Sequence, residues 1–187
     1  MLFLLKNILY YVKMSKKAGR GRKMNIEIER KYIIKLPDLS VICREKNYTE
    51  SDIVQIYLSS GAGMTHRIRS RRYAGKTVYT ETTKKRIDKM SVYEDEREIS
   101  EDEFFILSKS IDKGTRPIIK KRVTFDFLGT TVEIDIYPDW QRCAILETEL
   151  DSREASVALP EYIEIVREVT GDYRYSNAAM ARSFPEE

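Results

Sequence analysis

Charged and apolar residues alternate along most of this chain with a period of two, which is the period of side chains along a β-strand. The alternation is clear in residues 26–32, where one face is charged and the other mainly apolar: Glu27, Glu29 and Lys31 oppose Ile26, Ile28 and Tyr32. An isolated strand of this kind is more often a solvated surface strand than a binding site. Six later segments repeat the pattern, so the charged faces belong to the architecture of the whole chain.

The alternation, divided by turn residues, predicts eight β-strands over residues 26–36, 53–58, 65–72, 77–85, 91–99, 117–127, 131–137 and 142–150. Capping residues and apolar spacing predict four helices, over residues 40–47, 101–112, 160–170 and 177–181. Ser100 and Glu103 form a capping box before the second helix, and Pro160 and Gly171 flank the third. Eight short consecutive strands favour an α+β fold with an antiparallel barrel, because closure removes exposed strand edges.

The direction in which the charged faces point decides the character of this barrel. If they pointed outward, apolar side chains would fill the barrel and the helices would find little apolar surface to pack on. We therefore expect the charged faces to line the lumen and the helices to pack outside. The predicted lumen holds eight acids and six bases: Glu27, Glu29, Lys31, Arg67, Arg69, Lys84, Glu96, Glu98, Lys120, Arg122, Glu133, Asp135, Glu147 and Glu149.

A lumen with so many charges requires water and ligands. Burying an ion costs several kcal/mol unless the ion is paired, hydrated or bound to a metal. Arg67, Arg69 and Arg71 share one strand face, where three guanidinium groups repel each other unless an anion lies among them. This row therefore either points into water or collects phosphate or carboxylate oxygens.

The formal net charge of +3 comes from the N-terminal segment. Residues 1–23 contain seven of the 33 lysines and arginines and no acid, which leaves 26 basic against 30 acidic residues, a net charge of −4. The basic balance therefore predicts no specific nucleic-acid site on the folded part. The segment is either a disordered basic arm or sequence upstream of a true start at Met24 or Met14, and the second interpretation is favoured. The folded domain is predicted over residues 24–187.

The remaining composition is ordinary for a single globular domain, with 42% apolar and 34% charged residues. The apolar runs of the N-terminal segment are too short to span a membrane, and the order of charges does not match a signal peptide. Cys43, Cys143 and the single His66 have no metal-site spacing, so neither zinc nor a disulfide framework is predicted. We expect the cytoplasm as the compartment, and His66 as a strand surface residue.

The charged positions, in chain order, are Glu27-x-Glu29-x-Lys31, Arg67-x-Arg69, Lys84, Glu96-x-Glu98, Lys120-x-Arg122, Glu133-x-Asp135 and Glu147-x-Glu149. This series resembles the CYTH family of triphosphate tunnel metalloenzymes, from Met24 to about Ala181. The first motif alone is weak, but the order of the whole series is specific. The resemblance implies an eight-stranded antiparallel tunnel that binds a triphosphate with a divalent metal, Mg²⁺ or Mn²⁺. It also implies hydrolysis of inorganic tripolyphosphate or an organic triphosphate, or cyclisation of ATP.

The resemblance further implies roles for individual residues. The triphosphate is expected to be held by the basic side chains Lys31, Arg67, Arg69, Lys84, Lys120, Arg122 and Arg174, the last closing the tunnel. One metal is expected on Glu147 and Glu149 with Glu133 or Asp135, and a second on Glu27 and Glu29 near the attacking water. The residues taken as catalytic are Glu27, Glu29, Lys31 and Lys84. Glu96 and Glu98 are alternatively structural partners of lumen bases.

We expect a metal-dependent triphosphatase that acts on inorganic tripolyphosphate, with nucleoside or thiamine triphosphate as lesser substrates. Two alternatives stay open: a class IV-type adenylate cyclase, and a protein that binds a triphosphate or nucleotide without turnover. Trp140 either stacks on a substrate ring or packs within the fold, and packing is favoured. The partner is a small-molecule triphosphate; the oligomeric state is open and includes a homodimer.

Overall fold

The computed structural model describes residues 22–186, with side chains from Ile26 onward. Its strands are β1 (Arg22–Lys35), β2 (Lys46–Leu58), β3 (Met64–Tyr73), β4 (Lys76–Arg86), β5 (Ser91–Ile99), β6 (Ile118–Phe127), β7 (Thr130–Ile136), β8 (Cys143–Glu149) and β9 (Ile165–Glu168). Its helices are α1 (Leu39–Ile42), α2 (Glu101–Ser108) and α3 (Asn177–Met180), with a 3₁₀ turn at Tyr173–Tyr175. Residues 1–21 lie outside the described part, so the two interpretations of the basic segment stay predictions.

Among the described residues, eight strands form one closed antiparallel barrel in the order β5-β4-β3-β2-β6-β7-β8-β1. The barrel closes where β1 pairs with β5, with Ile26 opposite Tyr93. On its other edge β1 pairs with β8, with Lys31 opposite Glu147. The predicted α+β barrel is confirmed.

The predicted helix over residues 160–170 is wrong, because this segment contains strand β9. β1 is longer than its pairing with β5, which ends where Ile28 meets Ser91. The edge that β5 leaves open is taken by β9, which places Tyr32 opposite Glu168. Pairing with an open strand edge satisfies backbone groups that a short isolated helix would leave to water, and β-branched residues such as Ile165 suit a strand.

Two other helices are shorter than predicted. The segment expected as a helix over residues 40–47 contains only α1, whose N-cap is Asp38, with a side chain that accepts from the Ser40 amide. Strand β2 begins at Lys46, earlier than the predicted start at residue 53, because its pairing with β6 continues back to Lys46. The helix expected over residues 101–112 ends at Ser108, although its predicted capping box is present in full.

The outer surface of the barrel wall is apolar, as expected for charges that point inward. One buried cluster covers β1, β6, β7 and β8 beneath α1 and the segment around Ile163: Tyr32, Ile34, Ile42, Val123, Phe125, Val132, Ile134, Ala144, Leu146 and Ile163. A second covers β2, β3 and β5 beneath α2, where Phe104 packs on Ile56, Leu58, Ile68 and Ile99. This burial is the main stabilisation of the wall.

A third apolar cluster fills part of the lumen at one end. At this end the lumen-facing positions change from charged to apolar on β1, β6 and β8 and directly after β7, and the apolar ones are Ile33, Ile118, Ile145 and Tyr137. Trp140, Tyr175 and Met180 pack against them. Trp140 is only 6% exposed, so it packs within the fold and does not offer a stacking surface at the tunnel mouth.

The remaining sequence predictions concern isolated residues. His66 lies on β3 with its ring 2.8 Å from Glu81 on β4, outside the cavity. Cys43 is exposed and Cys143 is buried, and neither forms a disulfide bond within residues 26–186. No helix within residues 22–186 has the length and apolar character needed to cross a membrane.

Candidate active site

The charged part of the lumen is a cavity of about 770 Å³. Among the described residues, seven carboxylates line it: Glu27, Glu29, Glu94, Glu96, Glu133, Glu147 and Glu149. Eight cationic side chains line it as well: Lys31, Arg67, Arg69, Arg71, Lys84, Arg86, Lys120 and Arg122. The two signs nearly cancel, so the side chains that line the lumen carry little net charge.

Eleven of the thirteen residues that the sequence proposed for the site line this cavity. They are Glu27, Glu29, Lys31, Arg67, Arg69, Lys84, Lys120, Arg122, Glu133, Glu147 and Glu149. Asp135 lies behind the lining, fully buried. Arg174 lies outside the cavity, where its guanidinium group is 2.7 Å from Asp172 and its side chain is 72% exposed. Glu98, expected in the lumen, is exposed and does not line the cavity.

Lys31 is the centre of the ion network on β1 and β8. Its ammonium group lies 2.8 Å from Glu147 and 3.4 Å from Glu29. Burial alone would lower the pKa of Lys31, but these two carboxylates outweigh burial and raise it. Burial would likewise raise the pKa of Glu147, yet Lys31 and Arg122 hold that pKa well below its ordinary value. Both groups are therefore charged at neutral pH.

Asp135 joins two cations from β6. It lies 2.5 Å from the ammonium group of Lys120 and accepts two hydrogen bonds of 2.7 Å from Arg122. Arg122 also contacts Glu133 and lies 2.9 Å from Glu147, so one guanidinium group joins three carboxylates. Burial lowers the pKa of Lys120 to about 8, against the opposing effect of Asp135.

A second network lies on β3, β4 and β5. Lys84 donates to Glu27 at 2.7 Å and also contacts Glu94. The guanidinium group of Arg67 lies 3.9 Å from Glu94, and that of Arg69 lies 3.2 Å from Glu96. In these contacts the cationic and anionic side chains of the lumen compensate each other's charge.

The second network includes polar residues that support Arg67. Gln55 accepts a hydrogen bond of 3.1 Å from Arg67 and donates one of 2.6 Å to the Tyr57 hydroxyl. Tyr57 is buried, and burial raises its pKa to about 12. The Nε atoms of Arg67 and Arg69 are buried and have no hydrogen-bond partner among the described residues.

The carboxylates on β1, β7 and β8 have the chemistry to hold a divalent cation. Glu29 and Glu149 stand directly opposite each other on neighbouring strands. Burial raises the pKa of Glu149, and the nearby Glu133 and Glu29 raise it further against the effect of Lys84. Glu149 pairs with no cation whose side chain is described. A hard cation with oxygen ligands would relieve this repulsion, although no three metal-binding side chains are already clustered within the described residues.

Sequence reasoning gave no role in the site to Glu94, Gln55 and Tyr57, and it named Arg71 in the arginine row of β3 without including it among the site residues. Each follows the alternation of its strand, since Glu94 has the parity of Glu96 and Arg71 that of Arg69. The parity signal was therefore present for all four. Gln55 and Tyr57 were missed because only charged residues were counted as lumen positions.

The closed barrel and its charged lumen define the class: the chain has the triphosphate tunnel fold of the CYTH proteins. No family model and no curated protein matches the sequence. Among solved structures, the inorganic triphosphatase NE1496 is 26% identical, with a TM-score of 0.55 over 86% of this chain and 97% of that one. A second structure of NE1496, described as a hypothetical protein, is 27% identical over 85% and 99%, with a TM-score of 0.54.

A more distant structure shows the same fold. The protein PH1819 from Pyrococcus horikoshii OT3 is 21% identical, with a TM-score of 0.53 over 68% of this chain and 80% of that one. At this identity the similarity concerns the fold alone. The structural neighbours therefore confirm the tunnel fold that the order of charged motifs predicted, and they include one protein described as an inorganic triphosphatase.

Proposed function

We propose that this chain is a triphosphatase that hydrolyses inorganic tripolyphosphate with the help of Mg²⁺ or Mn²⁺. The observation that carries the proposal is the near balance of cationic and anionic side chains in a largely buried cavity. A triphosphate carries several negative charges, and a lumen with so little net positive charge cannot neutralise them alone. Divalent cations that enter with the substrate would supply the missing positive charge.

The basic side chains would hold the phosphates. Arg67 and Arg69 line the cavity, where their guanidinium groups would donate hydrogen bonds to phosphate oxygens. Lys31 keeps its charge because its pKa is raised, so it would act as a fixed cation and not as a general base. Lys31 or Lys84 would stabilise the charge that develops on the leaving phosphate.

The carboxylates would hold the metals. Glu27 and Glu29 on β1 are proposed for one ion, and Glu147 and Glu149 on β8 with Glu133 on β7 for the other. Asp135 is the weakest of the proposed ligands, since Lys120 and Arg122 already occupy its oxygens. The bound cations would neutralise the phosphate oxygens and lower the pKa of a coordinated water. Catalysis would then depend on positioning and charge neutralisation, which dominate phosphoryl transfer.

The test is phosphate release from tripolyphosphate, ATP and thiamine triphosphate, with Mg²⁺, with Mn²⁺ and with a chelator. We expect the fastest turnover with tripolyphosphate and none with the chelator. Glu29→Gln should reduce kcat about a hundredfold or more, because it removes a charge that acts on the reacting groups. Glu98→Gln, a matched change on an exposed residue of the barrel wall, should retain parent activity.

Each alternative predicts a different result. A cyclase would convert ATP to pyrophosphate and a cyclic nucleotide, which product analysis separates from ADP and phosphate. A binding protein would retain tripolyphosphate without releasing phosphate. Parent-like turnover in Glu29→Gln would remove the assignment of that residue to a metal.

A further inference from the structure

A third arginine continues the row formed by Arg67 and Arg69 along the lumen face of β3. Arg71 lines the same cavity as those two residues. Residues two apart on a strand share a face and are separated by about 7 Å. The row therefore extends the cationic lining one step beyond Arg67 and Arg69, which are proposed to hold the triphosphate.

Arg71 differs from its two neighbours in its partners. Arg67 and Arg69 have carboxylates beside their guanidinium groups, at 3.9 Å from Glu94 and 3.2 Å from Glu96 respectively. Arg71 donates only from Nε, to the Ser51 hydroxyl at 3.0 Å, and pairs with no carboxylate in residues 26–186. No carboxylate of the described residues therefore neutralises its charge, and its terminal nitrogens can donate to an external acceptor.

We propose that Arg71 is a further substrate-binding residue that holds a fourth phosphoryl group of a linear polyphosphate. This proposal rests on the function proposed above. The planar guanidinium fork binds two phosphate oxygens at once. The row of three arginines runs along the cavity, and a linear polyphosphate longer than a triphosphate would extend along this row toward Arg71. Arg71 therefore favours tetrapolyphosphate and longer chains over tripolyphosphate.

The test compares KM and kcat for tripolyphosphate and tetrapolyphosphate in the parent and in Arg71→Gln. We expect KM for tetrapolyphosphate to rise about tenfold, as for the loss of one hydrogen-bonded charge pair, with kcat nearly unchanged. KM for tripolyphosphate should change by less than about twofold on the same scale. Arg71→Lys keeps the charge but loses the planar fork. Its KM for tetrapolyphosphate should lie between those of the parent and of Arg71→Gln.

Arg72→Gln is the matched control. Arg72 is the next residue on β3, points to the outer surface and pairs there with Asp52 at 2.9 Å, with 68% of its side chain exposed. This variant removes the same charge from the same strand and should change neither KM. An equal loss for both substrates in Arg71→Gln would place Arg71 in the triphosphate site, and no loss for either would leave it without a role; both results overturn the proposal.

The two proposals can fail separately. If the parent hydrolyses neither substrate, calorimetric binding of tetrapolyphosphate and tripolyphosphate replaces the kinetic comparison. A preference for tetrapolyphosphate that disappears in Arg71→Gln would then support the subsite while the triphosphatase function is rejected. Turnover of both substrates with no change on Arg71→Gln would reject the subsite alone.

Discussion

Asp135→Asn tests how much the buried ion pairs of the lumen contribute to the free energy of unfolding of the barrel. The side chains of Asp135 and Lys120 are 1% and 2% exposed, and that of Arg122 is 11% exposed. Removing one partner of a buried pair leaves an uncompensated charge, which costs about 3–5 kcal/mol. For a chain of this size, that loss corresponds to a decrease in Tm of about 6–20 °C.

The assay is thermal and urea unfolding of the metal-free protein, with Asp52→Asn as the control. Asp52 forms an exposed pair with Arg72, and such pairs contribute about 0–1 kcal/mol. A loss in Asp135→Asn no larger than that in the control would refute the reasoning. Tripolyphosphate should reduce the difference between Asp135→Asn and the parent, because its oxygens would compensate Lys120, which loses its carboxylate partner, whereas Arg122 keeps Glu133 and Glu147.

Three further predictions concern stability. Ser100→Ala removes the N-cap of α2 and should cost about 1 kcal/mol in urea unfolding, whereas Ser108→Ala at the end of the same helix should stay within about 0.5 kcal/mol of the parent. Gly171→Ala should lower the free energy of unfolding more than Gly129→Ala. Both positions have positive φ, but only at Gly171 would the added Cβ meet a backbone oxygen, at 2.8 Å; equal losses would show that the close contact relaxes without cost. Burial raises the pKa of Glu81, but hydrogen bonds from a histidine and an arginine outweigh burial and lower it. Its carboxylate thus stabilises the fold above its unfolded pKa, and this contribution disappears as pH falls. The unfolding free energy of Glu81→Gln should depend less on pH between about 5 and 3 than that of the parent.

The barrel could be predicted because its strands alternate strictly between charged and apolar residues. A shift of one residue would turn the apolar face of β7, for example, toward the charged lumen. It would also bury the charges of β7 in the apolar cluster outside the wall, so the pattern fixes the register. The segment over residues 160–170 could not be assigned in the same way. Its first turn has the proline of a helix, and its strand structure depends on an open edge of β1, which is a tertiary feature.

The charged residues of the site could be predicted from the sequence, because charge and strand parity together place them on the lumen face. Arg67, Arg69 and Glu147 could be placed in the lumen by parity alone. The position of Asp135 behind the lining could not be predicted, because parity gives the face of a residue and not its depth among neighbouring side chains. Arg174 was placed at the tunnel by resemblance, and the structure pairs it with Asp172 outside the cavity.

The arrangement of charges suggests how a buried ionic lumen can bind a polyanion without a large desolvation cost. Within the protein, Lys31 is paired with Glu147, Arg122 with Glu133, and Lys84 with Glu27. In the proposed function each of these basic side chains would bind a phosphate, and each acidic side chain would bind a metal ion. The side chains have already lost most of their hydration in the folded protein, so binding would exchange one set of ion pairs for another. A metal or a triphosphate alone would leave half of these charges unpaired, which is why we expect the two ligands to bind cooperatively.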